Sequence, residues 1–162
     1  SEIAMPTLID LLNNNKIDIK DIGEILVVIG PGSFTGVRIG VVIAKTTAYL
    51  LNIPIKCLTS LDIVVFSNKN ILPGTYVINE KNGYFVGKYD NKGTLVEEIK
   101  YYSKKEFENA NIKEIIETDL LDYNNIYSHS KNKPIVNPHL VNPLYIKQIE
   151  VLKWFSNLQN MT

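Results

Sequence analysis

The sequence predicts an α/β protein of two small lobes, and three observations carry that prediction. Ile25-Leu26-Val27-Val28-Ile29 is an unbroken apolar run between Gly23 and Gly30, the pattern of a strand covered on both faces inside a parallel or mixed sheet. A long apolar helical segment and a second short strand follow it. From Ser67 onward the composition changes to β-branched and aromatic runs separated by turn signals, as in antiparallel strands. The expected division is 1–67 for the first lobe and 68–162 for the second, with a last helix packing back on the first. With 162 residues, 45% of them hydrophobic, the chain can bury a substantial core.

Each element has its local signal. Met5, Leu8 and Leu12, with Ile9 beside them, recur at helical spacing, and Asn13-Asn14-Asn15 ends that helix. Val37 to Leu51 carries two interleaved stripes, one through Val37, Val41, Ala44, Ala48 and Leu51 and one through Ile39, Ile43, Thr46 and Leu50. A helix apolar on more than one side is buried on several faces, within its own fold or against another chain. Asn52-Ile53-Pro54 stops it, Pro54 to Leu58 reads as a short strand, and Thr59 or Ser60 caps a helix through Leu61, Val64 and Val65. Tyr76-Val77-Ile78, Tyr84-Phe85-Val86 and Thr94-Leu95-Val96 are the expected antiparallel strands, divided at Asn82-Gly83 and Asn91-Lys92-Gly93. Ser103-Lys104-Lys105-Glu106 has capping-box spacing and predicts a helix. The polar, Asn-rich stretch Asp122 to Lys133 is read as a loop, and Tyr145 to Leu158 as a helix.

Charge and composition exclude several classes of function. Seventeen Lys and Arg balance seventeen Asp and Glu, so there is no surplus of positive charge to hold RNA by counterion release. Cys57, the single cysteine, closes no intrachain disulfide and favours a reducing compartment. No apolar run reaches the roughly 18 residues of a membrane span, and no signal peptide leads the chain, so a cytoplasmic protein without a membrane partner is expected. His129 and His139 are separated by Pro134 and Pro138, which preclude a shared helix, and read as isolated loop histidines. Cys57 reads as a structural thiol in an apolar strand.

Gly30-Pro31-Gly32-Ser33-Phe34-Thr35-Gly36-Val37-Arg38 carries the most information. It joins the first strand to the long helix, so the backbone must turn sharply and expose a helix N-terminus, which the glycines permit. Ser33 or Thr35 can cap the free N–H groups, or an anion such as phosphate can bind them, with Arg38 adding positive charge. The alternative is a packing turn in which Gly36 and Gly40 smooth a helix face for close approach. The spacing fits neither a Walker A loop, since no Gly-Lys-Ser/Thr follows Gly36, nor a Rossmann fingerprint, which needs an acidic residue some 20 residues on.

The run from Gly30 to Gly40, followed by Ala44-Lys45, Asn52-Ile53-Pro54 and Thr59-Ser60-Leu61, resembles the signature segment of the TsaB (YeaZ) family in residues and spacing. Asn79 to Phe85 and Asn142-Pro143-Leu144-Tyr145-Ile146-Lys147 resemble later family segments more loosely. The resemblance implies the actin-like, sugar-kinase and Hsp70-like ATPase fold (ribonuclease H-like), here without its first strands and their phosphate-binding Asp. It implies a non-catalytic scaffold that pairs with TsaD in N6-threonylcarbamoyladenosine modification of tRNA. TsaE is the further expected partner, a homodimer is possible in isolation, and tRNA is reached only through the complex. It also implies ADP or ATP at the subunit junction against Gly32, Ser33, Phe34, Thr35, Gly36 and Arg38. The partner surface would comprise Met5, Leu8, Ile9, Leu12, Thr46, Tyr49 and Leu50. An autonomous actin-like ATPase is the alternative function. A peptidase is disfavoured because no metal pair or triad stands in the sequence.

Overall fold

The computed structural model describes residues 2–112, 115–116 and 121–146. Two sheets organise them. Strands β1 (Ile25–Val28) and β2 (Ile55–Leu58) pair in parallel, joined by helix α2 (Phe34–Leu51), and β7 (Ile135–Val136) adds to β2 antiparallel. The second sheet has the order β5-β4-β3-β6, with β3 (Gly74–Glu80), β4 (Gly83–Tyr89) and β5 (Leu95–Ser103) antiparallel. Strand β6 (Ile115–Ile116) runs parallel to β3. Helices α1 (Ala4–Asn14), α3 (Ser60–Phe66), α4 (Lys104–Asn109) and α5 (Tyr123–Ser130) complete the fold.

Most local expectations hold, with extended bounds. The hairpin strands are longer than their turn-free cores suggested, because pairing continues to Glu80 opposite Gly83. The capping box at Ser103 forms, with Glu106 N–H on Ser103 Oγ and Ser103 N–H on Glu106 Oε2. Thr59 rather than Ser60 caps α3: Asp62 N–H donates to Thr59 Oγ1 at 2.9 Å and Thr59 N–H to Asp62 Oδ2 at 2.8 Å.

Five readings are corrected. Strand β1 is an edge strand among the described residues, and Val28 is exposed, so it is not covered on both faces. Asp122 to Lys133 is not a loop but carries α5. Its weak intrinsic helix propensity is overridden by Asp122, whose carboxylate accepts Asn125 N–H at 2.9 Å, and by burial of Ile126 and Ser130. His129 therefore sits on a helix, its Nε2 3.2 Å from Asn68 O and its ring against Phe66. Finally, α2 is by length and composition long enough and apolar enough to cross a membrane, contrary to the reading that no run reaches that length. Its buried residues, Val41, Ala44 and Ala48, instead pack on the first sheet. Tyr145 and Ile146 are not helical, and the remainder of the helix expected to Leu158 lies outside the described residues.

Two cores form. The first joins Val27 and Ile55 of the sheet to the small face of α2 and to Val141. The second is larger and more aromatic, with Leu61, Val65 and Phe66 of α3 packed on Tyr76, Phe85 and Tyr89. Helix α3 thus follows β2 of the first sheet in sequence while filling the core of the second.

Candidate functional site: the glycine-rich turn and the faces of α2

At the end of β1 the chain turns through Gly30, whose φ of +106° lies in the region that favours glycine. Three backbone bonds hold the entry: Ile29 N–H to Leu58 O at 2.9 Å, Ser60 N–H to Gly30 O at 2.9 Å, and Leu144 N–H to Ile29 O at 2.7 Å. Ser33, not Thr35, is the N-cap of α2, with Gly36 N–H on its Oγ at 3.3 Å. The helix begins at Phe34, earlier than the apolar stripe alone indicates, because the cap lies outside that stripe.

The six residues expected around a nucleotide do not share one surface. Gly32, Ser33 and Gly36 line an apolar groove of about 600 Å³ that runs along β1 between α1 and α2, together with Leu26, Val28 and Val37. Phe34 and Arg38 face elsewhere: the Arg38 guanidinium lies 5.0 Å from the Phe34 ring centre, and Tyr145 packs on that ring at 5.3 Å. Thr35 is exposed on the first turn. The close-packing account of the glycines is corrected as well. A Cβ on Gly36 would meet Ser33 at ordinary contact distances of 3.4 and 3.5 Å, one on Gly32 nothing nearer than 3.9 Å, and one on Gly40 nothing within 4 Å.

The expected partner residues are spread over two helices. No residue of α1 is buried. Met5 lies in a notch with Arg38, Ile39 and Val42, whereas Leu8 turns toward the groove beside β1. Ile9 and Leu50 are exposed, Thr46 is exposed on the same helix as Leu50, and Leu12 is half-buried. Tyr49 makes an edge contact with His139 at 4.8 Å, further along α2. Val42, with 58% of its surface exposed, belongs to this apolar face and was missed, because its position falls between the two stripes.

Other polar groups have structural work. Asp62 is buried, and Lys133 Nζ reaches its Oδ2 at 3.0 Å, tying the segment before β7 to α3. Tyr89 stands beside them, and burial first, then the Asp62 charge, raise its phenol well above the usual range. Cys57 is half-buried, and desolvation raises its thiol pKa. Among the described residues no group of three His, Cys, Asp or Glu side chains is placed to hold a metal.

A βαβ unit whose glycine-rich turn opens an 18-residue helix, beside a mostly antiparallel sheet, fits the actin-like, ribonuclease H-like class of fold, and the structural neighbours and the family match support that class. Two solved structures share it: YeaZ from Pseudomonas aeruginosa, with a TM-score of 0.65 over 88% of this chain and 83% of that one at 17% identity, and an uncharacterized protein with similarity to peptidase YeaZ from Pseudomonas aeruginosa, with a TM-score of 0.67 over 91% of this chain and 84% of that one at 15% identity. The family model described as "TsaD: tRNA N6-adenosine threonylcarbamoyltransferase" matches residues 1–99. The tRNA threonylcarbamoyladenosine biosynthesis protein TsaB of Bacillus subtilis is 37% identical over 98 residues, covering 59% of this chain and 43% of the relative. The protein of that name from Buchnera aphidicola is 33% identical over 99 residues, 57% of this chain and 46% of the relative. The chain belongs to this family, on its TsaB/YeaZ side, and its matched part spans somewhat under half the length of those curated relatives.

Proposed function

We propose that this chain serves the formation of N6-threonylcarbamoyladenosine in tRNA as a non-catalytic subunit that associates with TsaD through its α1–α2 face. The observation that carries the reading is the apolar surface of those helices. No residue of helix α1 is fully buried in its own fold, and Val42, Tyr49 and Leu50 of α2 stand open to solvent. Exposed apolar faces of adjacent helices fit a partner surface, and the relatives that match this part of the chain are named for that modification. In this reading a partner holds the tRNA, which is consistent with the net charge of zero.

A subunit of this kind raises the rate by favouring the competent state of its partner, not by contributing a reacting group. In the same reading, ADP or ATP at the junction meets the N-terminus of α2 beside Gly32 and Ser33, where first-turn N–H groups without an intrahelical partner attract phosphate, and it competes with Ser33 Oγ for the Gly36 N–H. TsaE is the further partner, and in isolation the same helices support a homodimer.

The test is a reconstitution with TsaD, TsaE, threonylcarbamoyl-adenylate and tRNA, omitting each protein in turn. Modified adenosine should require both this chain and TsaD. Ile9→Glu with Val42→Glu, both at exposed positions, should abolish co-elution with TsaD and the modification while leaving circular dichroism unchanged. Modification by this chain without TsaD, or ATP hydrolysis by this chain alone, would replace the scaffold by an autonomous enzyme.

A further inference from the structure

The segment Asn137–Ile146 leaves β7 and crosses α2 to reach the glycine-rich turn. After a short 3-10 turn at Pro138–Leu140 it has no regular structure, so isolated contacts must hold it. Lys45, in the middle of α2, supplies two of them. Its Nζ donates to Val141 O at 2.9 Å and to His139 O at 3.4 Å, and hydrogen bonds from an ammonium are charge-assisted. Between those carbonyls and α2, Val141 is 1% exposed and sits in the first core. Tyr49, one turn after Lys45, holds His139 by its ring edge.

Beyond this point the same segment touches both ends of the turn. Leu144 N–H donates to Ile29 O at 2.7 Å. The Leu144 carbonyl faces Gly30 so closely that a Cβ there would come within 3.1 Å of it. Tyr145 packs on Phe34, which also carries the Arg38 guanidinium.

We propose that Asn137–Ile146 is a strap that sets the conformation of the glycine-rich turn, with Lys45 the positioning residue that holds the strap on α2. The turn has other support from Ser60 and from the Ser33 cap, but those contacts fix Gly30 and the helix start, not the Phe34 ring. Lifting the strap frees Phe34 and Arg38 together and removes the bond to Ile29. Displacement of Tyr145 from Phe34 would in turn be transmitted to Val141 along one short run of backbone. The strap stands independently of the assignment to tRNA modification and of any nucleotide.

Amide hydrogen exchange of the whole chain tests it, in the unaltered protein, Lys45→Met and Lys45→Arg. The Leu144 and Ser60 amides report the two bonds to Ile29 O and Gly30 O, and the amides of β4 report the rest of the molecule. In Lys45→Met the Leu144 amide should exchange about tenfold faster or more, and that of Ser60 faster, while β4 is unchanged. Lys45→Arg should restore protection. Unchanged protection of Leu144 in Lys45→Met, or an equal loss across β4, would overturn the proposal by leaving Lys45 no role or only a general stabilising one. Should Lys45→Met not fold, Tyr145→Ala removes only an exposed ring. Amide chemical-shift changes spreading from Gly32–Gly36 to Val141 would then support the strap, and changes confined to the neighbours of residue 145 would overturn it.

Discussion

The two sheets differ in what they leave uncovered. The second is an antiparallel sheet over an aromatic core, where Tyr76, Tyr89 and Phe66 are fully buried and α3 fills the space between. The first has a free edge at β1, an apolar groove beside it, and a covering helix whose buried residues are small or β-branched: Ala44, Ala48 and Val41. Burial scales with side-chain size, so the aromatic residues of the second core each contribute more to stability than the small residues of α2 in the first. The two sheets thus divide the labour, with stability concentrated in the second and surface for contacts concentrated in the first.

Core truncations should give the largest difference. Phe66→Ala is expected to cost about 3–5 kcal/mol, against about 1–2 kcal/mol for Val41→Ala, read from chemical denaturation. Equal losses would erase the division. Next in size is Asp62→Ala, which removes the buried partner of Lys133 and half of the α3 capping box, at an expected cost of about 2–3 kcal/mol. Because that pair ties the segment before β7 to α3, the loss should appear in both sheets, and a loss confined to one would show that they unfold independently.

Glycine substitutions sharpen the contrast by their sign. A Cβ on Gly83 in the β3–β4 hairpin would run into the Tyr102 carbonyl and lie 2.7 Å from the Tyr101 hydroxyl. Gly83→Ala should therefore destabilise by about 1–3 kcal/mol. Gly36 is helical, with only ordinary contacts at its would-be Cβ. Gly36→Ala should leave stability unchanged or raise it by up to about 1 kcal/mol. A fall in melting temperature for Gly36→Ala would restore the close-packing account of the turn.

The smallest effect is kinetic and involves Cys57 on β2. Burial raises its thiol pKa, so less thiolate is present at a given pH in the folded chain than in the unfolded one. Alkylation of the native protein should be slower near pH 8 and should reach its plateau at higher pH than in denaturant. If the first sheet opens locally, labelling will still outpace global unfolding. Labelling at the global unfolding rate would place both sheets in one cooperative unit.

What the sequence determined by itself are the features written within three or four residues. The Thr59–Asp62 and Ser103–Glu106 boxes, the hairpin turn, which falls at Lys81-Asn82, one residue before the Asn82-Gly83 signal, the apolar spacing of α1 and α2 and the bend at Gly30 each rest on bonds or torsions local to the chain. Ser33 and the glycine-rich run were legible for the same reason, and so was the resemblance they carry. The tertiary structure alone decided that Asp122–Lys133 would hold a helix, since Ile126 and Ser130 are buried there only once α3 is in place. It also decided that Phe34 and Arg38 would turn away from Gly32 and Ser33, that Lys45 would meet the carbonyls of His139 and Val141, and that Leu144 would meet the turn. Those contacts join segments far apart in the chain, and their energy comes from burial and hydrogen bonds that no local pattern encodes.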